Sequence, residues 1–124
     1  EYFDIRYMWL DDTTAPSILE IASHSKELKL GESGLSDSAA FITQLASMDI
    51  TRVSLYVILY FFPATEFFTL PRSFWRTFLN EKLANGSFEC VEIAIGREQQ
   101  KFTMAPIDLP EDAIILSMKW TKAR

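Results

Sequence analysis

The stretch VSLYVILYF, residues 53–61, decides the fold of this chain. Apolar side chains occupy both of its alternating faces, for example Val53 and Leu55 on one face and Tyr56 on the other. A strand that is apolar on both faces is covered on both sides, which is typical of the centre of a sheet. Pro63 cannot donate a ladder hydrogen bond, so the strand should end near it. We therefore expect the sheet to be built around residues 53–61.

The pattern upstream of this strand is less uniform. Along residues 2–10 the side chains alternate between an apolar face and a mainly polar face, which predicts a half-buried strand. Residues 17–30 allow either one long strand or a helix that begins at Pro16 and is followed by a short strand. Because Ser23 and Ser25 weaken a helix, the long strand is the preferred interpretation.

Two helices are predicted on either side of the central strand. Ser36 or Asp37 can cap the first helix, and Pro71 suits the first position of the second. Asn85-Gly86 ends the second helix with a left-handed residue. The apolar residues recur every three or four positions, namely Phe41, Leu45 and Met48 in the first helix and Phe74, Trp75, Phe78, Leu79 and Leu83 in the second.

The C-terminal third predicts three strands. They lie at residues 88–95, near residues 101–105 after a polar connector, and at residues 113–120. In the last strand, one side is expected to hold Ile114, Leu116, Met118 and Trp120. The element order is therefore β-β-α-β-α-β-β-β. This order indicates an α+β fold with a mainly antiparallel sheet of about five to six strands and two helices. A chain of 124 residues without a linker or repeat suits a single globular domain over its whole length.

The net charge of the chain is −5, and it is unevenly distributed. Residues 1–49 carry −6, with nine acidic and three basic side chains, whereas residues 50–124 carry +1. An acidic surface repels phosphate backbones, which speaks against nucleic acid, and it favours a protein partner with a basic surface. Acidic residues also keep small domains soluble, so a second interpretation assigns them no partner.

Two observations bear on location. The longest uncharged run, residues 53–65, has 13 residues, and a membrane helix needs about 20, so no membrane partner is expected. The single cysteine, Cys90, cannot form an internal disulfide, which favours the reducing cytoplasm. We also expect no signal peptide, although the chain opens on Glu1 rather than on Met.

Residues that could carry catalysis are sparse. His24 is the only histidine, and on a strand its neighbours Ser23 and Ser25 would point away from it. With His24 and Cys90 as the only soft ligands, a zinc site would need several carboxylates in support. The sequence GESG, residues 31–34, lacks the lysine and the glycine spacing of a P-loop. We expect no enzyme activity, no metal and no cofactor, and a dyad of Cys90 and His24 is the remaining alternative.

The stretch YFFPATEFFTLPRSFW, residues 60–75, holds seven of the seventeen aromatic residues. The strand before it and the helix after it can bury the rings at its two ends. Phe62, Phe67 and Phe68 lie in the connection, and connecting backbone normally runs over the surface. Because an exposed aromatic cluster marks an interface or a ligand groove, these three rings are candidate binding residues. The alternative is that the connection folds down and covers the core.

Charged residues supply the other binding candidates. Asp11 and Asp12 lie in a turn of the acidic half, where they would face a basic partner, hold a hard cation or simply be solvated. Arg72 and Arg76 are four residues apart on the second helix. They could bind a carboxylate or a phosphate in a bidentate manner, or pair with Glu66 or with an acidic residue of a neighbouring strand.

The function that these observations favour is a small acidic protein-interaction domain. One version is an inhibitor of the immunity or antitoxin kind, since a target that handles nucleic acid presents a basic cleft. The alternative is a small-molecule binding module with an aromatic-lined pocket between sheet and helices. No sequence motif decides between them, and the oligomeric state stays open.

Overall fold

The computed structural model describes residues 2–4, 10–31, 34–56 and 66–123. The elements are β1 (Tyr2–Asp4), α1 (Ala15–Ala22), β2 (Glu27–Gly31), α2 (Ser38–Ser47), β3 (Arg52–Tyr56), α3 (Glu66–Thr69), α4 (Arg72–Ala84), β4 (Phe88–Ile95), β5 (Glu98–Phe102) and β6 (Ile115–Lys122). The predicted α+β class is confirmed. None of the described helices is long and apolar enough to span a membrane.

The strands form one sheet in the order β1-β2-β3-β6-β4-β5. The pairs β1–β2 and β2–β3 are parallel, whereas β3–β6, β6–β4 and β4–β5 are antiparallel. The sheet is therefore mixed, with antiparallel pairs in the majority, and the described residues hold four helices instead of the predicted two. The parallel part arises from α1 and α2, because a helical crossover returns the chain and makes the next strand parallel.

The predicted central strand is present as β3, third in the sheet order. Val53, Ser54 and Leu55 are all buried. The described part of the strand ends at Tyr56, and its predicted end near Pro63 lies outside the described residues. The same holds for the predicted first strand beyond the three residues of β1.

The preferred interpretation of residues 17–30 as one strand is wrong. The segment contains most of α1 and most of β2, as in the alternative that begins a helix at Pro16, which lies in the first turn of α1. Ser23 and Ser25 follow that helix, and their hydroxyls donate to carbonyl oxygens of its last turn at 2.6 and 3.1 Å. A helix C-terminus leaves such carbonyls without intrahelical partners. The two serines therefore end the helix rather than prevent it.

The two predicted helices are confirmed as α2 and α4. Asp37 is the N-cap of α2, and its carboxylate accepts a hydrogen bond from the amide of Ala40 at 3.0 Å. Pro71 caps the start of α4, and Gly86 follows its end with a φ of +81°, a conformation that glycine adopts readily. The short helix α3 lies in a segment that the sequence predicts as a connection.

The hairpin of β4 and β5 differs from the prediction in one respect. Gly96 and Arg97 form its turn, with Gly96 at a φ of +60°. Residues 98–100 consequently pair with β4, although their polar side chains predict a connector. Packing against a neighbouring strand outweighs the weak strand preference of these residues.

A bulge changes the inner face of β6. The pairing with β4 shifts register between Ala94 and Ile95, which leaves Leu116 as an extra residue in β6. A bulge interrupts the alternation of a strand, so Ile115 is buried whereas Ile114 and Leu116 are exposed. Met118 and Trp120 are both buried. The prediction that Ile114 and Leu116 share one side of the strand with these two residues is therefore wrong.

The core lies on one face of the sheet. Buried strand residues such as Val53 and Trp120 form one cluster with residues of all four helices. Phe78 of α4 packs edge-on against Trp120, with 5.9 Å between the ring centroids. Ser54 and Lys119 alternate with these core residues along β3 and β6, so they lie on the opposite face. No helix of the described residues covers that opposite face, which we call the open face.

Candidate functional sites

The aromatic connection is the first predicted site. Phe62 lies outside the described residues, whereas Phe67 and Phe68 are buried, Phe67 with 0% of its surface exposed. Phe67 stacks on Phe41 of α2 with 6.1 Å between ring centroids, and its carbonyl oxygen accepts the indole N–H of Trp75 at 3.0 Å. Both rings are therefore core residues, because α3 folds the connection down onto the helix layer. Of the two interpretations that the sequence leaves open, the one in which the connection covers the core is therefore confirmed at these two positions.

Asp11 and Asp12 order the turn before α1. The Oδ1 atom of Asp11 accepts from the amide of Thr14 at 3.0 Å. The Oδ1 atom of Asp12 accepts from the amide of Ser36 at 3.1 Å, and Ser36 immediately precedes the N-cap Asp37. This bond between distant parts of the sequence gathers three carboxylates where α1 and α2 begin. We call Asp11, Asp12 and Asp37 the acidic edge.

Arg72 links the residues just before α4 to the residues just before β6 through hydrogen bonds. Its guanidinium donates to the carbonyl oxygens of Ala113 at 2.8 Å and of Phe68 at 2.9 Å. Desolvation lowers the pKa of Arg72, and the nearby charge of Glu111 opposes that shift. The guanidinium is engaged within the chain, so its contacts are structural.

Arg76 holds the connector between β5 and β6. It donates to the carbonyl oxygen of Leu109 at 2.7 Å and pairs with the carboxylate of Glu111. One turn later, Asn80 accepts the amide of Ile107 at 2.6 Å. α4 thus fixes the connector through several polar contacts. Arg76 pairs within the chain, as one of the two sequence interpretations expects, but its acidic partner Glu111 lies in the connector and not on a strand.

The described residues hold no group of three His, Cys, Asp or Glu side chains suited to a metal ion. Cys90 lies in β4 in register with Thr121 of β6, and β3 and β2 follow in the sheet. Three interstrand steps of about 4.8 Å, roughly 14 Å in all, therefore separate Cys90 from β2, which begins three residues after His24. This spacing does not support the dyad.

A groove of about 450 Å³ lies between α2 and α4 on the helix side of the sheet. The rings of Phe74 and Phe78 line it and stack on each other, with 5.7 Å between centroids and an angle of 13° between planes. The Nζ atom of Lys82 lies 5.9 Å from the Phe78 centroid. We call this the aromatic groove, and its lining residues are Thr43, Ser73, Phe74, Thr77, Phe78, Glu81 and Lys82.

A smaller cleft, of about 160 Å³, lies on the open face. It exists because register places short side chains beside long ones: Ser54 is opposite Lys119, and Ser117 is opposite Tyr56. We call it the polar cleft, and its polar lining residues are Ser54, Tyr56, Glu92, Gln99, Ser117 and Lys119. Sequence reasoning missed these residues, because the cleft is assembled across four strands whose register no local pattern reveals.

No protein-family model, no curated protein and no solved structure matches this chain.

Proposed function

We propose that this protein is an interaction domain that binds another protein with a basic surface, as an inhibitor, immunity protein or antitoxin does. The observation that carries the proposal is the distribution of charge. Residues 1–49, which carry −6, supply β1, α1, β2 and α2. In the sheet order β1 and β2 are neighbours, and β4 and β5 lie at the other end. Among the described side chains of this half, two are basic (Lys26 and Lys29) and six are acidic, namely Asp11, Asp12, Glu20, Glu27, Asp37 and Asp49. This excess of acidic residues supports an acidic flank on this side of the sheet.

The acidic edge is the ordered part of this flank. Asp12 and Asp37 are exposed, and each uses its Oδ1 atom to accept a main-chain amide. Side chains that are already held in one geometry lose less entropy when a partner binds. A partner with a basic surface would be steered to this flank by long-range attraction. The proposal includes a location in the cytoplasm and no nucleic acid partner.

The test uses substitutions that remove charge but retain structure. Asp12→Asn and Asp37→Asn keep an oxygen that accepts the same amide, and asparagine caps helices as well as aspartate does. The double variant and the unaltered protein are used as baits in an extract of the native organism. The association rate of a captured protein is then measured between about 50 and 300 mM salt, since screening acts over this range.

We expect the association rate of the unaltered protein to fall at least about tenfold across this salt range. The double variant should associate more slowly at low salt and depend less on salt. The matched control is Asp108→Asn with Asp112→Asn, which removes the same charge from exposed positions on the connector before β6. If the partner binds at a rate that neither salt nor the Asp12 and Asp37 substitutions change, the proposal is wrong.

The aromatic groove favours a second candidate, a small-molecule binding module. The groove lies between two helices rather than between sheet and helices, but its stacked rings offer an apolar surface for a flat ligand. Native mass spectrometry of protein purified from its own host would reveal a retained compound. Phe74→Ala should abolish retention, whereas Phe102→Ala, which removes a half-buried ring of β5, should not. Retention by both variants would place the compound elsewhere.

A further inference from the structure

The geometry points to the polar cleft as a binding site for a small oxyanion, with a carboxylate as the fitting group. The cleft lies on the open face, whereas the aromatic groove lies on the helix side. The site does not depend on the proposed basic partner.

The first observation is an unpartnered polar group at the site. Ser54 is 7% exposed and lines the cleft, yet its hydroxyl forms no hydrogen bond with any residue that the structure describes. A buried hydroxyl without a partner is unfavourable, and nearly all buried polar atoms in proteins have one. A ligand atom in the cleft would supply the missing partner.

The second observation is the set of groups that line the cleft. Ser54, Ser117 and Tyr56 contribute hydroxyls, Gln99 contributes an amide and Lys119 an ammonium group. All five can donate hydrogen bonds, and the ammonium group can only donate. A carboxylate or another oxyanion only accepts hydrogen bonds, so it is the chemical complement of this lining.

The third observation concerns charge. Among the described residues that line the cleft, Glu92 is the only acidic one, and its carboxylate lies 3.3 Å from the ammonium nitrogen of Lys119, which offsets its charge. The strand register places Lys29 and Lys101 in one row across the sheet with Ser54, Lys119 and Glu92. At the β1 end of this row the backbone register places Asp4. Three lysines and one acidic residue, Glu92, are the charged members of this row whose side chains the structure describes, in a chain whose net charge is −5. An anion meets less repulsion here than at the acidic edge.

The size of the cleft limits the ligand. Its volume is about 160 Å³, and a cavity of about 150 Å³ in another protein accommodates benzene. The site therefore suits a molecule of roughly four to eight heavy atoms. A free carboxylic acid and the acidic side chain of a bound peptide both meet this limit.

The test is a titration of the ¹⁵N-labelled protein with sodium acetate at constant ionic strength, followed by amide chemical shifts. We expect saturable shifts at Ser54, Tyr56 and Ser117, with a Kd of about 1 to 10 mM. Shifts that grow linearly without saturation, or that are centred on other residues, would overturn the proposal.

Three variants give the test its specificity. Lys119→Gln should weaken acetate binding at least about fivefold, because it removes the ammonium donor and leaves Glu92 unpaired. Ser54→Ala should weaken it about threefold while the melting temperature is retained, since the lost hydroxyl has no partner in the free protein. Lys82→Gln is the matched control, because it removes the same charge from the helix side, and its Kd should be unchanged. An equal loss of binding in Lys82→Gln would show a general charge effect and contradict the site.

A second titration distinguishes the two sources of the anion. A capped pentapeptide with one central glutamate is compared with acetate. A Kd for the peptide that is tenfold lower supports a site for a partner's acidic side chain, and equal values support a site for a free small acid. If neither probe saturates, there is no oxyanion site. That failure would leave the proposed basic partner unaffected, because its test uses the acidic edge.

Discussion

Replacement of Phe67 by alanine tests whether the aromatic connection is core or surface. The ring is fully buried, stacks on Phe41, and lies next to the hydrogen bond from Trp75 to the Phe67 carbonyl. A buried phenylalanine removes at least about 150 Å² from water, worth roughly 4 kcal/mol at about 25 cal/mol per Å². Alanine retains part of this area, but the cavity left behind adds a further cost. We therefore expect Phe67→Ala to lower the free energy of unfolding by about 3 to 5 kcal/mol.

The assay is urea unfolding together with thermal unfolding, both followed by circular dichroism. An unfolding entropy of about 2.1 cal/mol/K per residue gives about 0.26 kcal/mol/K for this chain, so the melting temperature should fall by about 12 to 19 °C. Phe74→Ala is the matched control, because its half-buried ring lines the aromatic groove and should cost only about 1 to 2 kcal/mol. A shift below about 4 °C in Phe67→Ala would refute the assignment of this ring to the core.

Substitutions at three further positions test individual contacts by urea unfolding. Arg72→Gln should lower the free energy of unfolding by about 2 to 3 kcal/mol, because the carbonyl of Ala113 and its neighbours lose a charged donor; a change below about 0.5 kcal/mol would contradict that role. Asp37→Ala should cost about 1 kcal/mol through the lost bond to the amide of Ala40, whereas Asp37→Asn should cost almost nothing, and equal losses would exclude capping as the cause. Ser54→Ala should leave stability unchanged or raise it by up to about 1 kcal/mol, and a clear loss would mean that the hydroxyl already has a partner.

The parts of the fold that were predictable are those whose signals are local. In α4, residues such as Trp75 and Leu79 repeat at helical spacing between Pro71 and Gly86, so one stretch of sequence contains the buried stripe and both ends. The same is true of α2 and its cap Asp37. α1 was misassigned because Ser23 and Ser25 look like helix-weakening residues until the position of the helix end is known.

The environment of each candidate site residue depends on contacts with distant parts of the sequence, much more than the positions of the helices do. Phe67 belongs to the core only because α2 presents Phe41 to it. Arg72 is structural because the chain returns 41 residues later to offer the carbonyl of Ala113. No local sequence pattern shows that Phe41 is the partner of Phe67, or that Ala113 is the partner of Arg72. The burial of Phe67 and the hydrogen bonds of Arg72 could therefore not be predicted.

The sequence by itself determined the class of the fold, the helices α2 and α4, the central position of β3 and the separation of charge between the two halves. These follow from periodicity, capping and composition, which act over a few residues. Only the tertiary structure decided which strands pair in parallel, that Phe67 is core, and that Ser54, Ser117 and Lys119 share one cleft. Those outcomes depend on register between strands and on contacts between distant segments, where the free energy belongs to the assembled sheet and not to any one stretch.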